Sequence, residues 1–188
     1  MQLPLIEIPN QARKPTATPT PPPSKETKQA VARNEWKTPQ PILKSVIEVL
    51  GAIDLDPCSN SNTIMSVPAK RYYGPDENSL ALPWNGRVWL NPPFGRVIGT
   101  WMTKLCDEYE KGACTAAIAL IPTRTDAAWW GHLAGYPFCA VRGKITFVRW
   151  DRKRSPSYTV SVVYLGPQLS RFASVFSPFG TIYIPYNS

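Results

Sequence analysis

Apolar positions recur at helical spacing in two parts of the chain, and each recurrence predicts an amphipathic helix. The first stripe follows Thr38 and Pro39, a pair typical of a helix start, and Gly51 ends it. Its apolar members are Ile42, Leu43, Val46, Ile47 and Leu50. The second stripe stops near Gly112. Its members are Val97, Ile98, Trp101, Leu105 and Tyr109. Residues 126–133 predict a third, shorter helix.

Short apolar runs bounded by turn-forming residues predict the β-strands. The first three cover residues 52–56, 87–90 and 115–121, and they alternate with the predicted helices. Further β segments are predicted at residues 138–141, 145–148, 159–165 and 181–184. Strands that alternate with helices and then give way to β-rich sequence indicate an α/β fold. We expect a mostly parallel sheet with an antiparallel edge.

Proline divides the chain into an arm and a folded domain. Five of the 21 prolines fall within residues 15–23, in a stretch with little apolar periodicity. We predict a flexible, proline-rich arm over residues 1–33 and one folded domain over residues 34–188. A chain of 188 residues is too short for two ordinary domains beside such an arm.

The charge balance favours a polyanionic partner. Lys and Arg number 21 against 13 Asp and Glu, which gives a net charge of +8. Basic residues are densest between residues 142 and 154. We predict nucleic-acid contacts from this run and from Arg124. A solvated loop is an alternative interpretation of the run, and an ion pair with Asp126 is the alternative for Arg124. The predicted contacts within the run are Lys144, Arg149, Arg152, Lys153 and Arg154.

Cysteine and histidine usage argues against a metal site. The four cysteines show no CxxC spacing and His132 is the single histidine, so we expect no bound metal and no histidine base. The longest apolar run, residues 116–122, is far below the roughly 18 residues of a membrane span. No secretory leader is evident, and we expect an intracellular, cytoplasmic protein.

Asn91-Pro92-Pro93-Phe94 is the most informative motif, because it follows the strand predicted at residues 87–90. Open α/β sheets bind ligands at that edge. The side-chain carbonyl of Asn91 and the main-chain carbonyl of Pro92 can both face a cleft, since proline fixes the backbone and donates no hydrogen bond. Two acceptors at one place suit the two hydrogens of a nucleobase amine, and Phe94 offers a face for stacking.

Five segments, in order, resemble the small phage-type DNA N6-adenine methyltransferases, S-adenosylmethionine-dependent Dam-like enzymes with an NPP(F/Y) signature. They are Trp36-Lys-Thr-Pro39, Asp54-Leu-Asp-Pro-Cys-Ser59, Asn78-Ser-Leu80 with Trp84, Trp89-Leu-Asn-Pro-Pro-Phe-Gly95 with Trp101, and Leu120-Ile-Pro-Thr-Arg-Thr-Asp126 with Gly143-Lys-Ile-Thr-Phe147. The resemblance covers about residues 34–165. It implies a Rossmann-like fold, S-adenosylmethionine as cofactor and methyl transfer to adenine N6 in DNA.

The resemblance also implies roles for individual residues. Asn91 and Pro92 would hold the amine of a flipped adenine, and Phe94 would stack on the base. Lys37 and Thr38 would reach the methionine end of the cofactor, where a helix start suits a carboxylate. The remaining implied cofactor-binding residues are Asp54, Asp56, Pro57, Cys58 and Asn78. Asp76 is an alternative to Asn78, because relatives carry Asp-Gly-Leu where this chain has Asn-Ser-Leu.

The chain is shorter than a complete methyltransferase of this kind in two places. Between Asp56 and Val88 a full sheet would have two strands with their helices, so we expect a reduced first half. Too little chain follows Asp151 for a separate target-recognition domain, which implies a short or relaxed DNA target read by loops. The resemblance suggests protection of viral DNA from restriction in a bacterial host.

Two other functions remain open at the level of sequence. A catalytically inactive DNA-binding module could keep the same fold. A metal-dependent nuclease could instead use Asp54 and Asp56 as metal ligands.

Overall fold

The computed structural model describes residues 37–59, 66–148, 153–154 and 158–186. The arm predicted for residues 1–33 lies outside the described residues, and so do Arg149 and Arg152. The boundary at residue 34 therefore stays a prediction.

Helices and strands alternate through most of the described chain. The α-helices are α1 (Gln40–Leu50), α2 (Ile98–Glu110) and α3 (Leu169–Phe176). Two short 3-10 helices cover Ser79–Ala81 and Ala128–Leu133. The strands are β1 (Ile53–Asp56), β2 (Ala69–Tyr72), β3 (Gly86–Leu90), β4 (Cys114–Pro122), β5 (Phe138–Val141), β6 (Phe147–Val148), β7 (Lys153–Arg154), β8 (Val160–Leu165) and β9 (Gly180–Tyr183).

Seven strands form one sheet in the order β2-β1-β3-β4-β8-β5-β9. Strands β1 to β4 pair in parallel, whereas β8 is antiparallel to both β4 and β5, and β9 is antiparallel to β5. Five of the seven strands thus run in one direction, which confirms the predicted mostly parallel sheet with antiparallel pairing at one side. Strands β6 and β7 form a separate antiparallel pair.

The sheet is buried between two apolar clusters. One cluster joins α1 and α3 to the sheet, and the other joins α2 and the second 3-10 helix to it. Trp89 belongs to the first cluster, whereas its neighbours Val88 and Leu90 belong to the second. Strand β3 therefore has apolar packing on both faces, as expected for a central parallel strand. Within the described ranges no helix is both long and apolar enough to cross a membrane.

The stretch between β1 and β3 is reduced, as predicted. In its described part, residues 57–59 and 66–85, the only strand is the four-residue β2. Its side chains are partly or fully exposed, and its sequence gave no apolar run from which to predict it. Helix α3 was also not predicted.

Several predicted boundaries are wrong in detail. Thr38 does not cap α1, because the residue before the helix is Pro39 and no side chain caps the helix. Val97 precedes α2 and is 52% exposed, so it does not join the apolar stripe. The helix predicted at residues 126–133 is a 3-10 helix that begins at Ala128, and the strand predicted at residues 145–148 shortens to β6.

Candidate active site

The strand order places the expected ligand-binding crevice between the carboxyl ends of β1 and β3. These strands are neighbours, with Leu55 paired to Val88. The chain leaves β1 for β2 on one side, whereas it leaves β3 for β4 on the other. In open α/β sheets, connections that diverge in this way create the crevice in which ligands bind. Asp56 ends β1 and Asn91 directly follows β3, so both lie at this crevice.

Asn91 is held from the segment that precedes α1. Its side-chain Nδ2 donates a hydrogen bond to Oγ1 of Thr38 at 3.3 Å. Since the amide oxygen lies on the opposite branch from Nδ2, Oδ1 is directed away from Thr38 and can accept from a ligand. Pro92 is buried and Pro93 is exposed, so the motif is anchored on one side only.

Phe94 lies at the edge of the second apolar cluster. Its ring is half-buried and packs against the cluster that contains α2. Tyr158 meets it edge to face, with ring centroids 5.9 Å apart and an angle of 66° between the planes. Sequence reasoning missed Tyr158, because it is 64 positions from Phe94 and belongs to no matched segment.

Asp56 is a buried carboxylate beside the motif. Its side chain is only 4% exposed, and Oδ1 accepts a hydrogen bond from the backbone N–H of Cys58 at 3.1 Å. Burial raises the pKa of Asp56 to about 7, against the smaller opposing effect of that hydrogen bond. A cationic group of a bound ligand would therefore pair with a carboxylate whose charge the protein itself does little to stabilise.

The loop after β1 is pinned to the end of β2. The carbonyl oxygen of Asp56 accepts the Tyr73 N–H at 3.0 Å, and the Ser59 N–H donates to the carbonyl of Tyr73 at 3.1 Å. Pro57 is buried and Cys58 is half-buried between them. Lys37 is also half-buried and directly precedes Thr38, so the structure brings six predicted residues to one edge. These are Lys37, Thr38, Asp56, Pro57, Cys58 and Asn91.

Asp54 is not part of this group. Its carboxylate accepts bonds from Arg87 Nε at 2.7 Å and Nη2 at 3.1 Å, and Lys70 Nζ lies 2.8 Å away. The hydrogen bonds from Arg87 hold the pKa of Asp54 far below its ordinary value. The same guanidinium donates to the carbonyl of Leu50, before β1 begins. Asp54 therefore lies toward the amino end of β1, away from the crevice, and its carboxylate serves an ion pair within the sheet.

The predicted residues beyond these six and the motif have other surroundings. Asn78 is exposed and precedes the 3-10 helix Ser79–Ala81, where its carbonyl accepts the Ala81 N–H. Arg124 makes a two-pronged ion pair with Asp126 at 2.9 and 3.0 Å. Lys144 is exposed, whereas Lys153 and Arg154 form β7.

Arg96 is a cation that sequence reasoning overlooked. It is exposed and lies two residues after Phe94, in the turn that leads to α2. Its position two residues after the motif could have identified it, but it lies outside the dense basic run from which DNA contacts were predicted.

Metal-ligating side chains do not cluster in the part of the chain that the structure describes. No three His, Cys, Asp or Glu residues come together there as ligands of one ion. Asp54 and Asp56, the pair considered for a nuclease, have separate hydrogen-bond partners.

A mostly parallel α/β sheet with this crevice and motif defines a Rossmann-like methyltransferase. The family model of DNA N-6-adenine-methyltransferases (Dam) matches residues 24–165, and the chain belongs to this family. It is therefore an adenine-N6-specific DNA methyltransferase, and DNA is its partner. No curated protein matches the chain.

Proposed function

We propose that the protein transfers a methyl group from S-adenosylmethionine to the N6 amine of an adenine that is flipped out of DNA into the crevice. The observation that carries this proposal is that Asp56 and Asn91 lie at the carboxyl ends of two neighbouring parallel strands. Asn91 can offer its amide oxygen to the adenine amine, and Asp56 can offer its buried carboxyl group to a cationic group of the cofactor.

The adenine amine is held by two acceptors. Oδ1 of Asn91 and the carbonyl oxygen of Pro92 each accept one N6 hydrogen, so the nitrogen lone pair turns out of conjugation with the ring. The lone pair then forms the bond to the methyl carbon while the carbon–sulfur bond breaks. N6 gives up one proton to water afterwards, and catalysis is mainly the positioning of amine, methyl and sulfur in line. No strong base is required, because the bound cofactor supplies an electrophilic methyl group.

Phe94 supplies the stacking face for the extruded base. Tyr158 packs edge-on against this ring and so favours one ring orientation. Stacking of a base on an aromatic side chain contributes about 1–3 kcal/mol, which offsets part of the cost of leaving the duplex stack.

The residues at the crevice fit S-adenosylmethionine. The cofactor carries a sulfonium and an ammonium cation, and Asp56 is a buried carboxylate with a raised pKa that a nearby cation would restore to the charged form. Lys37, with the segment that precedes α1, suits the cofactor's carboxylate. Pro57 and Cys58 form the adjoining wall, and Asn78 or Asp76 remains the proposed contact for the cofactor's adenine. Asp54 is left out of the proposed set because of its ion pairs with Arg87 and Lys70.

We propose that several basic residues grip the DNA backbone. Arg96 would meet the phosphates next to the flipped nucleotide, since its turn adjoins Phe94. Lys144 and the basic residues 149 and 152–154 would extend this contact along the duplex. Arg124 can join them only by exchanging Asp126 for a phosphate. Protection of viral DNA from a bacterial host's restriction enzymes is the biological role that we propose.

The test is methyl transfer by purified protein. DNA is incubated with the protein and S-adenosylmethionine, digested to nucleosides and analysed for N6-methyl-2′-deoxyadenosine by mass spectrometry. We expect that nucleoside from the natural chain and a loss of at least about 100-fold in turnover for Asn91→Ala. Cofactor affinity should be nearly unchanged in that variant. Asn85→Ala, at an exposed Asn just before β3, is the matched control and should keep wild-type turnover.

Other outcomes would identify the alternative functions. DNA binding without any methyl incorporation or cofactor binding would indicate an inactive module. Cleavage of DNA that requires Mg²⁺, again without methyl incorporation, would indicate a nuclease. Equal activity of Asn91→Ala and the natural chain would remove the motif from the mechanism.

A further inference from the structure

The Thr38 hydroxyl is hydrogen-bonded to Asn91 and does not cap the helix that follows it. The side chain is 5% exposed, and α1 begins at Gln40 with no side-chain cap. Its Oγ1 instead accepts the hydrogen bond from Asn91 Nδ2, across 53 positions of sequence. A Thr close to a helix start ordinarily caps that helix. Here its hydroxyl makes a tertiary contact instead.

The amide of Asn91 has two orientations of nearly equal shape, and only one is useful. With Oδ1 toward the substrate, the side chain accepts from N6. With Nδ2 toward the substrate, two donors face each other. The useful orientation turns Nδ2 toward the protein, where a half-buried donor needs an acceptor. The Thr38 hydroxyl is the acceptor in this structure. Because a hydroxyl can also donate, the contact fixes the position of the amide, and the adenine amine, which brings only donors, favours the orientation with Oδ1 outward.

The support beneath Thr38 is rigid. Helix α1 buries six of its residues, and Ile42 and Leu43 anchor its first turn in the apolar cluster on that face of the sheet. The Leu43 N–H donates to the carbonyl of Pro39 at 3.2 Å, and this bond ties the residue after Thr38 to the first turn of α1. Thr38 therefore presents its hydroxyl from a fixed element to the end of β3.

We propose that Thr38 is a positioning residue for methyl transfer: its hydroxyl holds the Asn91 amide in place through Nδ2, so that Oδ1 is free to accept from adenine N6. This proposal rests on the proposed function of Asn91. It differs from the cofactor contact that the sequence resemblance implies for Thr38, because it predicts an effect on turnover and not on cofactor affinity.

The experiment compares Thr38→Val, which keeps the shape and removes the hydroxyl, with Thr38→Ser, which keeps the hydroxyl. For each full-length variant, kcat, the Kd for S-adenosylmethionine and the melting temperature are measured. We expect kcat of Thr38→Val to fall roughly 10- to 100-fold, because Nδ2 of Asn91 loses its partner. The Kd and the melting temperature should stay near the wild-type values, and Thr38→Ser should recover most of the turnover.

A double-mutant cycle separates positioning from a merely structural effect. In the Asn91→Ala background, Thr38→Val should cause no further loss of kcat, because the amide that it orients is gone. Thr103→Val on α2 is the matched control. It removes a hydroxyl that lies 3.3 Å from His132 Nε2, and it should leave kcat unchanged. If Thr38→Val does not fold, Thr38→Ala provides the same loss of hydroxyl in a smaller side chain.

The outcomes distinguish this proposal from the proposed function. An active natural chain whose Thr38→Val variant keeps full kcat overturns the positioning role alone. A rise in Kd that accounts for the whole loss of activity also overturns it and restores Thr38 to the cofactor contacts. A natural chain without cofactor-dependent methylation overturns the proposed function, and this proposal with it.

Discussion

Replacing Asp56 by Asn should stabilise the folded protein at alkaline pH while it weakens cofactor binding. The carboxylate is 4% exposed and has one hydrogen-bond donor, the Cys58 N–H. Asn keeps an oxygen for that bond and never ionises. The substitution therefore removes the cost of a buried charge without opening a cavity.

The size of the effect follows from the pKa of Asp56. Burial raises it from 3.8 to about 7, a difference of roughly 3 pH units. Each unit corresponds to about 1.4 kcal/mol, so charging Asp56 costs the folded state at most about 4 kcal/mol. This is a large share of the 5–15 kcal/mol that is typical of unfolding free energies.

The sign is set by which state binds the proton. Between about pH 4 and pH 7 the folded protein keeps a proton on Asp56 that the unfolded chain has released. Stability from this group is thus fully present below pH 4 and is lost as the pH rises through 7. The advantage of Asp56→Asn should grow over the same window, from near zero at pH 4 to its full value at pH 8.

Urea denaturation at pH 4.5, 6 and 8 measures the difference, with Asp107→Asn at an exposed position of α2 as control. Titration calorimetry with S-adenosylmethionine supplies the second readout, in which Asp56→Asn should weaken binding roughly 10- to 100-fold. Gain of stability with loss of ligand affinity is the expected signature of a functional buried charge. A stability difference that does not change with pH would refute the reasoning, and unchanged cofactor affinity would remove Asp56 from the site.

Other predictions address stacking, DNA contact, packing and metal. Phe94→Ala should weaken productive base capture by about 1–3 kcal/mol, measured as kcat/KM on DNA, while Phe94→Tyr is tolerated. Alanine at residues 152–154 should flatten the salt dependence of DNA affinity by a slope of roughly 0.9 for each lost phosphate contact; an unchanged slope would make the run a solvated loop. Gly86→Ala should lower the unfolding free energy by roughly 1–3 kcal/mol, because a Cβ added at Gly86 would lie 2.9 Å from Asp54. Gly112 has nearly the same positive φ, +77° against +79° at Gly86, but a Cβ there meets nothing within 4 Å. Gly112→Ala is its control in denaturation, and equal losses would show that the clash is relieved. Methyl incorporation should persist in EDTA, since the departing sulfur is neutral; activity that returns only with Mg²⁺ would contradict this.

Sequence periodicity identified the buried elements because burial is what creates the pattern. Strand β4 and helix α1 pack on apolar clusters, so β4 shows in the sequence as a continuous apolar run and α1 as an apolar stripe at helical spacing. Strand β2 escaped prediction for the opposite reason. It is an edge strand whose central residues, Lys70 and Arg71, are exposed, and no apolar run marks it.

The candidate site was predictable only as far as its residues are close in sequence. Asn91 to Phe94 form a continuous motif, and the strand before it fixed its place at the sheet edge. The ion pairs of Asp54 come from Lys70 and Arg87, and the partner of Thr38 is Asn91. Such contacts depend on which strands become neighbours, and a local pattern such as Thr-Pro predicts a cap instead.

The position of β8 has a consequence for when this enzyme becomes active during synthesis. Strand β8 lies between β4 and β5, and both of its edges are hydrogen-bonded. Until residues 160–165 have left the ribosome, the sheet exists only as two separate parts with open edges, β2-β1-β3-β4 and β5. The catalytic motif at residues 91–94 is then already synthesised, yet the strand beside β4 that completes its support is missing. A nascent chain should therefore remain unable to modify DNA until residues 160–165 have emerged and paired, and chaperones have their main opportunity to bind it before that point.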